Sequence, residues 1–381
     1  MKYQSKRKKY LVSLGFVVIS LVLFPILTQP VYLQTMLDQN KSEAIRQALS
    51  KMANDGKAPG MIAAIISSEG VIAIGSAGVR KAGSDIAMTT NDIVHLGSCT
   101  KAMTSAMLAT LLAEGKLSWD IKLIEAIPEL KKSIHHAYHN ITLWQLLTHR
   151  AGIPDNPVDW DGHKEEEIKE RRMAILQDNL ITSSTIKQGE FKYSNFGYMI
   201  AACMAEKITG LSWESLMKER LFDPLGMSSA GFGEPDKHNK IEQPWGHNKW
   251  GGRWEPSRSY DSEAIGPSGE IHCTVEDWAK FISLQLSGKN PILDRIQLNK
   301  LVEPVGFYAG GWGVSNQAWA KGKIFTHDGS NGIWFATVIV APGLDRAFIV
   351  VTNSRDFNST SDVCSEIKTK LILIDSSAVN N

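Results

Sequence analysis

The hydrophobic period changes twice along this chain, and those changes limit the folds open to it. Near the start, Met61–Ile66 and Val71–Ala77 are runs of strand length around a Ser67-Ser68-Glu69-Gly70 turn, preceded by a helical stretch over Ser42–Met52. From Ser98 the period becomes helical. Met103, Met107, Leu108, Leu111 and Leu112 share one stripe, and Gly115 ends it. Helical signals continue over Leu143–His149, Glu165–Leu180, Gly197–Thr209 and Glu276–Leu286, the last opened by a cap-like Thr274/Asp277 pair. Strand signals return at Gly311–Val314, Ile324–His327, Trp334–Val340 and Ala347–Asn353, before a last helix over Ser361–Ile374. Strands, then helices, then strands predict an α/β (α+β) unit over 40–376: a mostly antiparallel sheet with flanking helices, built from about 40–97 and 300–376, plus an inserted helical subdomain from about 98–299. A cleft between two such parts is a common place for an active site.

Ahead of that unit, Lys2, Lys6, Arg7, Lys8 and Lys9 precede an uncharged apolar run from Tyr10 to Leu27. The run is long for a signal-peptide core and just long enough for a membrane helix. Thr28-Gln29-Pro30 makes a poor cleavage site. Residues 1–34 are therefore expected to be a signal peptide or a membrane anchor. The basic flank would stay in the cytoplasm, so the rest would be exported to a periplasmic or extracellular face. The net charge of the whole chain is +1, and without those five cations the remainder is mildly acidic, which leaves no electrostatic footprint for nucleic acid.

The four cysteines, Cys99, Cys203, Cys273 and Cys364, form no C-x-x-C pair, so zinc and dithiol motifs are absent. Two disulfides or four small buried hydrophobes are both open. His135, His136 and His139 lack the glutamate of an H-E-x-x-H motif and read as a polar surface segment. No cofactor or metal is called for. Trp245, Trp250 and Trp254 would line the cleft or pack between helix and loop.

The candidate chemistry starts at Ser98-Cys99-Thr100-Lys101. Residues three apart on a helix share a face, so Lys101 Nζ can approach Ser98 Oγ. A buried lysine near a helix N-terminus loses its proton more easily, and a hydroxyl beside such a base becomes a nucleophile. The same spacing recurs at Ser5, Ser184, Ser215 and Ser365, but only Ser98 follows a strand-like stretch and a glycine and opens a long apolar helix. Tyr193-Ser194-Asn195 sits in a turn before the helix at Gly197, where a phenol can relay a proton and an amide can hold a carbonyl. His327-Asp328-Gly329 ends a strand signal, where a glycine would let a substrate backbone lie close.

In this order and context the chain resembles the class C β-lactamase and penicillin-binding-protein-like serine hydrolases, a family that includes D-Ala-D-Ala-carboxypeptidases, esterases and amidases. The resemblance runs from about Lys57 to about Asn353. It rests on His95-Leu96-Gly97-Ser98-Cys99-Thr100-Lys101, Glu114-Gly115-Lys116-Leu117 and Leu146-Leu147-Thr148-His149-Arg150-Ala151-Gly152-Ile153-Pro154. It continues through Tyr193-Ser194-Asn195-Phe196-Gly197-Tyr198, Phe222-Asp223-Pro224-Leu225-Gly226-Met227, Gly311-Trp312-Gly313 and His327-Asp328-Gly329. It implies a serine β-lactamase/DD-peptidase-like fold and an acyl-enzyme on Ser98. Lys101 and Tyr193 would share the base and acid roles, with Asn195 orienting the substrate. The N–H groups of Ser98 and Ser330 would form the oxyanion hole, and His327 and Gly329 would contact the substrate.

His327 stands where many members carry the lysine of a Lys-Thr-Gly triad. A neutral histidine and an Asp328 carboxylate suit a substrate carboxylate less well, though strand alternation leaves the direction of Asp328 open. The expected partner is a small-molecule or peptide substrate with an ester, amide or lactam carbonyl. An esterase, amidase or peptidase is expected ahead of a genuine β-lactamase or D-Ala-D-Ala-carboxypeptidase. A non-catalytic peptidoglycan or penicillin sensor is the alternative of another class. No G-x-S-x-G elbow and no Ser-Asp-Asn triplet is present, which sets aside α/β-hydrolases and class A β-lactamases.

Overall fold

The computed structural model describes residues 29–236, 241–258, 262–286, 291–356 and 358–377. The basic, apolar stretch expected to act as signal or anchor therefore lies almost wholly outside the described residues. Its last part, from Gln29, opens a helix that runs to Asn54, longer than the Ser42–Met52 stretch. Among the described residues no helix is long and apolar enough to cross a membrane.

Eleven strands are described. β1 (Gly60–Ser67) and β2 (Gly70–Gly78) join β8 (Gly313–Gln317), β9 (Gly322–Ser330), β10 (Phe335–Ala341) and β11 (Arg346–Thr352) in one six-stranded sheet of order β2-β1-β11-β10-β9-β8. Every pairing in it is antiparallel. The two ends of the chain thus meet in one sheet, with β1 against β11 from Met61↔Thr352 to Ile66↔Ala347.

β1 explains why the sheet has two dry faces. Its side chains alternate: Ile62, Ala64 and Ile66 enter the core toward the helical part, while Met61, Ala63 and Ile65 enter the core beneath the two terminal helices. A strand covered on both sides must be apolar at every position, so it reads as a continuous run. Each of its buried isoleucines stabilises the fold by about 1.5–3 kcal/mol. The outer layer is Gln29–Asn54 together with the last helix, Thr360–Ser377; Lys41 pairs with Asp375 across it at 2.8 Å.

The helix after Ser98, Thr100–Ala113, is the centre of the inner layer. Its first twelve residues are all buried, so its apolar stripe is part of a helix covered all round. The helix Asn195–Thr209 packs beside it and is buried from Phe196 to Glu206. Val275–Leu286 lies in the stretch expected to be the helical subdomain, yet it packs under the main sheet, with Ser283 Oγ donating to Ser67 O at 2.8 Å.

That middle stretch also holds four strands that its periodicity does not announce, and two of them join the strand-like stretch before Ser98 in one sheet. β3 (Ile93–His95), β4 (Gly231–Phe232) and β7 (Ile271–Thr274) form a small sheet of order β3-β7-β4. β5 (Gly246–Trp250) and β6 (Arg253–Ser257) form a hairpin. Its tryptophans do not border Ser98: Trp254 Nε1 donates to Gly56 O at 3.0 Å, and Trp250 is exposed. The four cysteines are free, buried thiols, which closes the disulfide alternative.

Candidate active site

Ser98 sits in a single 3-10 turn, Gly97–Cys99, between β3 and the helix Thr100–Ala113. The turn is pinned from three sides. Leu96 N donates to Ile271 O at 2.9 Å, Gly97 N to His95 Nδ1 at 3.1 Å, and Ile271 N to Thr100 Oγ1 at 3.1 Å. β9 crosses directly over it. A Cβ on Gly97, whose φ is +51°, would stand 2.3 Å from Ser330 N. A Cβ on Gly329 would stand 2.0 Å from Leu96 O and 2.8 Å from Ser98 N. Gly329 is therefore demanded by the turn that carries Ser98 rather than by a substrate backbone. That close crossing places Ser98 and Ser330 together in the lining of one cleft.

Lys101 lies one turn into the helix and is fully buried. Its Nζ is 3.1 Å from Ser98 Oγ, 2.7 Å from Asn195 Oδ1 and 2.8 Å from Ser268 O. Burial holds its pKa well below the ordinary lysine value. The neutral amine fits this shell well. Its two hydrogens satisfy the two carbonyl oxygens, which can only accept, and its lone pair is left facing the Ser98 hydroxyl. The partner Ser268 O had no signal in the sequence, since a backbone carbonyl supplied by another segment is invisible there.

Tyr193 stands beside both Ser98 and Lys101. Its ring centroid is 4.7 Å from Lys101 Nζ. Burial raises the phenol's pKa, and a hydrogen bond with Ser98 opposes that rise. The net effect is a phenol that keeps its proton at neutral pH. Ser194 caps the next helix: its Oγ accepts from Gly197 N at 3.0 Å and donates to Pro154 O at 2.6 Å. Asn195 is the first helical residue, and besides Lys101 it engages Asn156, its Nδ2 donating to Asn156 Oδ1 at 2.9 Å.

His327 and Asp328 occupy opposite faces of β9. His327 is buried on the inner side: its Nε2 is 2.8 Å from Tyr308 Oη and its Nδ1 2.8 Å from Asp328 O. A carbonyl can only accept, so Nδ1 carries the hydrogen and Tyr308 donates to Nε2. Burial, aided by Lys101, lowers this imidazole to about 4. A ring that is neutral at pH 7 offers no cation to a substrate carboxylate. Asp328 points away from the cleft. It accepts from Thr337 Oγ1 across the strand pair, and Thr337 Oγ1 in turn accepts from Lys368 of the last helix at 2.9 Å.

In front of Ser98 lies a cleft of about 210 Å3 lined by Ser98, Trp160, Asn195, Ile265, Ser268, Gly269, Glu270, Ser330 and Asn331. One carboxylic acid and no lysine or arginine lines it. Trp160, 38% exposed, and Ile265 form its apolar wall. Neither carries a motif, and Trp160 reaches the cleft only because its loop folds back, where its carbonyl accepts from Ser262 Oγ at 2.6 Å.

This arrangement has relatives. The beta-lactamase family model matches residues 45–367. The chain belongs to the beta-lactamase family. Within that family it is 24% identical over 295 residues to penicillin-binding protein 4 of Amycolatopsis lactamdurans, covering 73% of this chain and 76% of that protein. It is 22% identical over 338 residues to the unguisins hydrolase of Aspergillus campestris, covering 84% of this chain but only 62% of the fungal protein. The chain thus spans less than two thirds of that relative's length. Among solved structures, D-amino acid amidase of Ochrobactrum anthropi superposes with a TM-score of 0.71 at 20% identity, over 90% of this chain and 99% of the amidase. At that identity the likeness is one of fold: a beta-lactamase-type sheet with a helical part beside it.

Proposed function

We propose that this protein is a serine acyl-hydrolase of Ser-Lys-Tyr type that turns over neutral ester or amide substrates in preference to carboxylate-bearing β-lactams. The observation that carries the reading is the buried Lys101 amine 3.1 Å from Ser98 Oγ, at the floor of a cleft without a lining lysine or arginine. The Ser98 proton passes to Lys101 Nζ as Oγ attacks the substrate carbonyl carbon. The Ser98 and Ser330 amides hold the resulting oxyanion. The bond to the leaving group then breaks, and that group takes a proton from Tyr193, which is replenished from Lys101. Water attacks the ester so formed, with the same groups in reverse, and frees Ser98.

The relatives named for hydrolysis and for amidase activity support an acyl-transfer reading. The preference for neutral substrates rests on His327, neutral above about pH 4 and hydrogen-bonded at both nitrogens, and on Glu270 in the lining. A substrate carboxylate would meet no fixed cation there. The test is twofold. A fluorophosphonate probe should label wild type and fail on Ser98→Ala, whereas a non-catalytic sensor would take no label. At pH 7.5, kcat/KM for a short p-nitrophenyl ester should exceed that for nitrocefin; the reverse order overturns the substrate preference. We further propose export, on the cations before Tyr10–Leu27; recovery of the uncut chain in cytosol after cell fractionation would refute it.

A further inference from the structure

Tyr193 must present its hydroxyl to Ser98, and the residue that fixes its ring is His149. His149 follows the short helix Leu143–Leu147 and has φ of +59°, the left-handed region that non-glycine residues seldom enter. It is held there by its neighbours on both flanks of Tyr193. His149 O accepts from Lys192 N at 2.8 Å, and His149 Nδ1 accepts from Ser194 N at 3.1 Å. Its ring then lies 4.3 Å from the Tyr193 ring, centroid to centroid, with Tyr308 at 4.7 Å and Tyr198 at 5.5 Å completing the enclosure.

The imidazole is 2% exposed. Because Ser194 N–H points at Nδ1, the neutral ring carries its hydrogen on Nε2, which has no hydrogen-bond partner among the described residues. Burial, and the proximity of Lys101 and His327, favour that neutral form. A left-handed backbone and an unpartnered buried donor are both unfavourable, and a phenylalanine or leucine would fill the same space without the second. What only a histidine supplies here is a flat ring for Tyr193 together with an acceptor for the amide next to it.

We propose that His149 is a positioning residue that acts through Tyr193, clamping the turn at Ser194 and bracing the phenol so that its hydroxyl stays on Ser98. This rests on the acyl-transfer reading of the site. The two links can be cut separately in the full chain. His149→Phe keeps a ring but loses the acceptor. His149→Asn keeps an acceptor and tolerates the left-handed backbone but loses the ring.

The experiment measures kcat and KM on a short p-nitrophenyl ester and the rate of fluorophosphonate labelling at Ser98, with a urea melt to establish folding. Each folded variant should lose roughly 10²-fold in kcat and in labelling rate, with KM changed by no more than about 3-fold. In a Tyr193→Phe background, adding His149→Asn should change either rate by no more than about 3-fold, because the group it positions has already been removed. A folded variant that reacts like wild type overturns the inference, as does a double variant whose losses multiply. If neither variant folds, His149 is a determinant of the fold, and the inference falls as well. A wild type that takes no probe would instead overturn the proposed function, so the two failures are distinguishable.

Discussion

Two clefts in this molecule invite comparison. One, about 550 Å3, lies between the β5–β6 hairpin and the chain after β11, lined by Lys249, Trp250, Glu255, Arg355 and Asp356 among others. The other, about 210 Å3, fronts Ser98. The larger has charge and an exposed tryptophan, but Lys249 there is half-buried and pairs with Asp356 at 3.5 Å, an ordinary surface arrangement. Behind the smaller, beyond its lining, Ser98 meets a lysine with no exposed surface, whose amine faces two carbonyl oxygens and the Ser98 hydroxyl. Volume and charge do not make a reactive group; desolvation of one amine does, because it turns a surface cation into a base.

The sharpest way to break that contrast is to remove the nucleophile. Ser98→Ala should lower kcat by roughly 10⁴-fold or more on any substrate while the urea midpoint stays near wild type. Residual turnover near the wild-type rate in the folded variant would place the chemistry elsewhere. Next in size are the proton carriers. Lys101→Ala and Tyr193→Phe should each cost roughly 10²–10⁴-fold, and together much less than the product of the two. A kinetic double-mutant cycle with multiplying losses would mean that they serve separate steps.

A third effect is on stability. Burial lowers His95 to about 3, and His247 and His327 to about 4. In the unfolded chain these rings take up protons below about 6.5, so between that pH and their folded values the unfolded state binds more protons. Stability should therefore be fully present above about pH 6.5 and fall as the pH drops toward 4, by about 1.4 kcal/mol per pH unit for each histidine. Urea midpoints at pH 4.5, 5.5 and 7 test the sign; a flat profile would contradict the buried neutral rings. His327→Gln should flatten part of that slope.

The smallest effects separate the two clefts again. Trp160→Ala should raise KM for an aryl ester by about 10-fold, since it removes the apolar wall beside Ser98. Trp250→Ala, in the larger cleft, should leave kcat and KM within about 2-fold. Equal effects from both tryptophans would mean that the substrate reaches across the hairpin.

Much of the frame was legible before any coordinates. β1, β2 and β9 to β11 match their apolar runs to within a few residues, because a strand's period is a property of consecutive side chains. The hairpin escaped notice because Gly246–Trp250 and Arg253–Ser257 are mostly polar; they are strands through pairing with each other, not through one apolar face. The spacing of Ser98 and Lys101 was legible for the same reason as β1: one helical turn sets it.

By itself, then, the sequence determined the strand–helix–strand order along the chain, the Ser98–Lys101 pairing and the turn that carries Tyr193, since local backbone geometry dictates all three. Only the tertiary structure decided the rest. It set Asp328 toward the last helix and His327 inward to Tyr308, turned the four cysteines into separate buried thiols, and brought Ser268 to Lys101, Asn156 to Asn195, His149 to Tyr193 and Trp160 to the cleft before Ser98. The reason is physical. A lysine becomes a base, and a histidine stays neutral, by losing water, and water is excluded by segments that are distant along the chain and meet only when it folds.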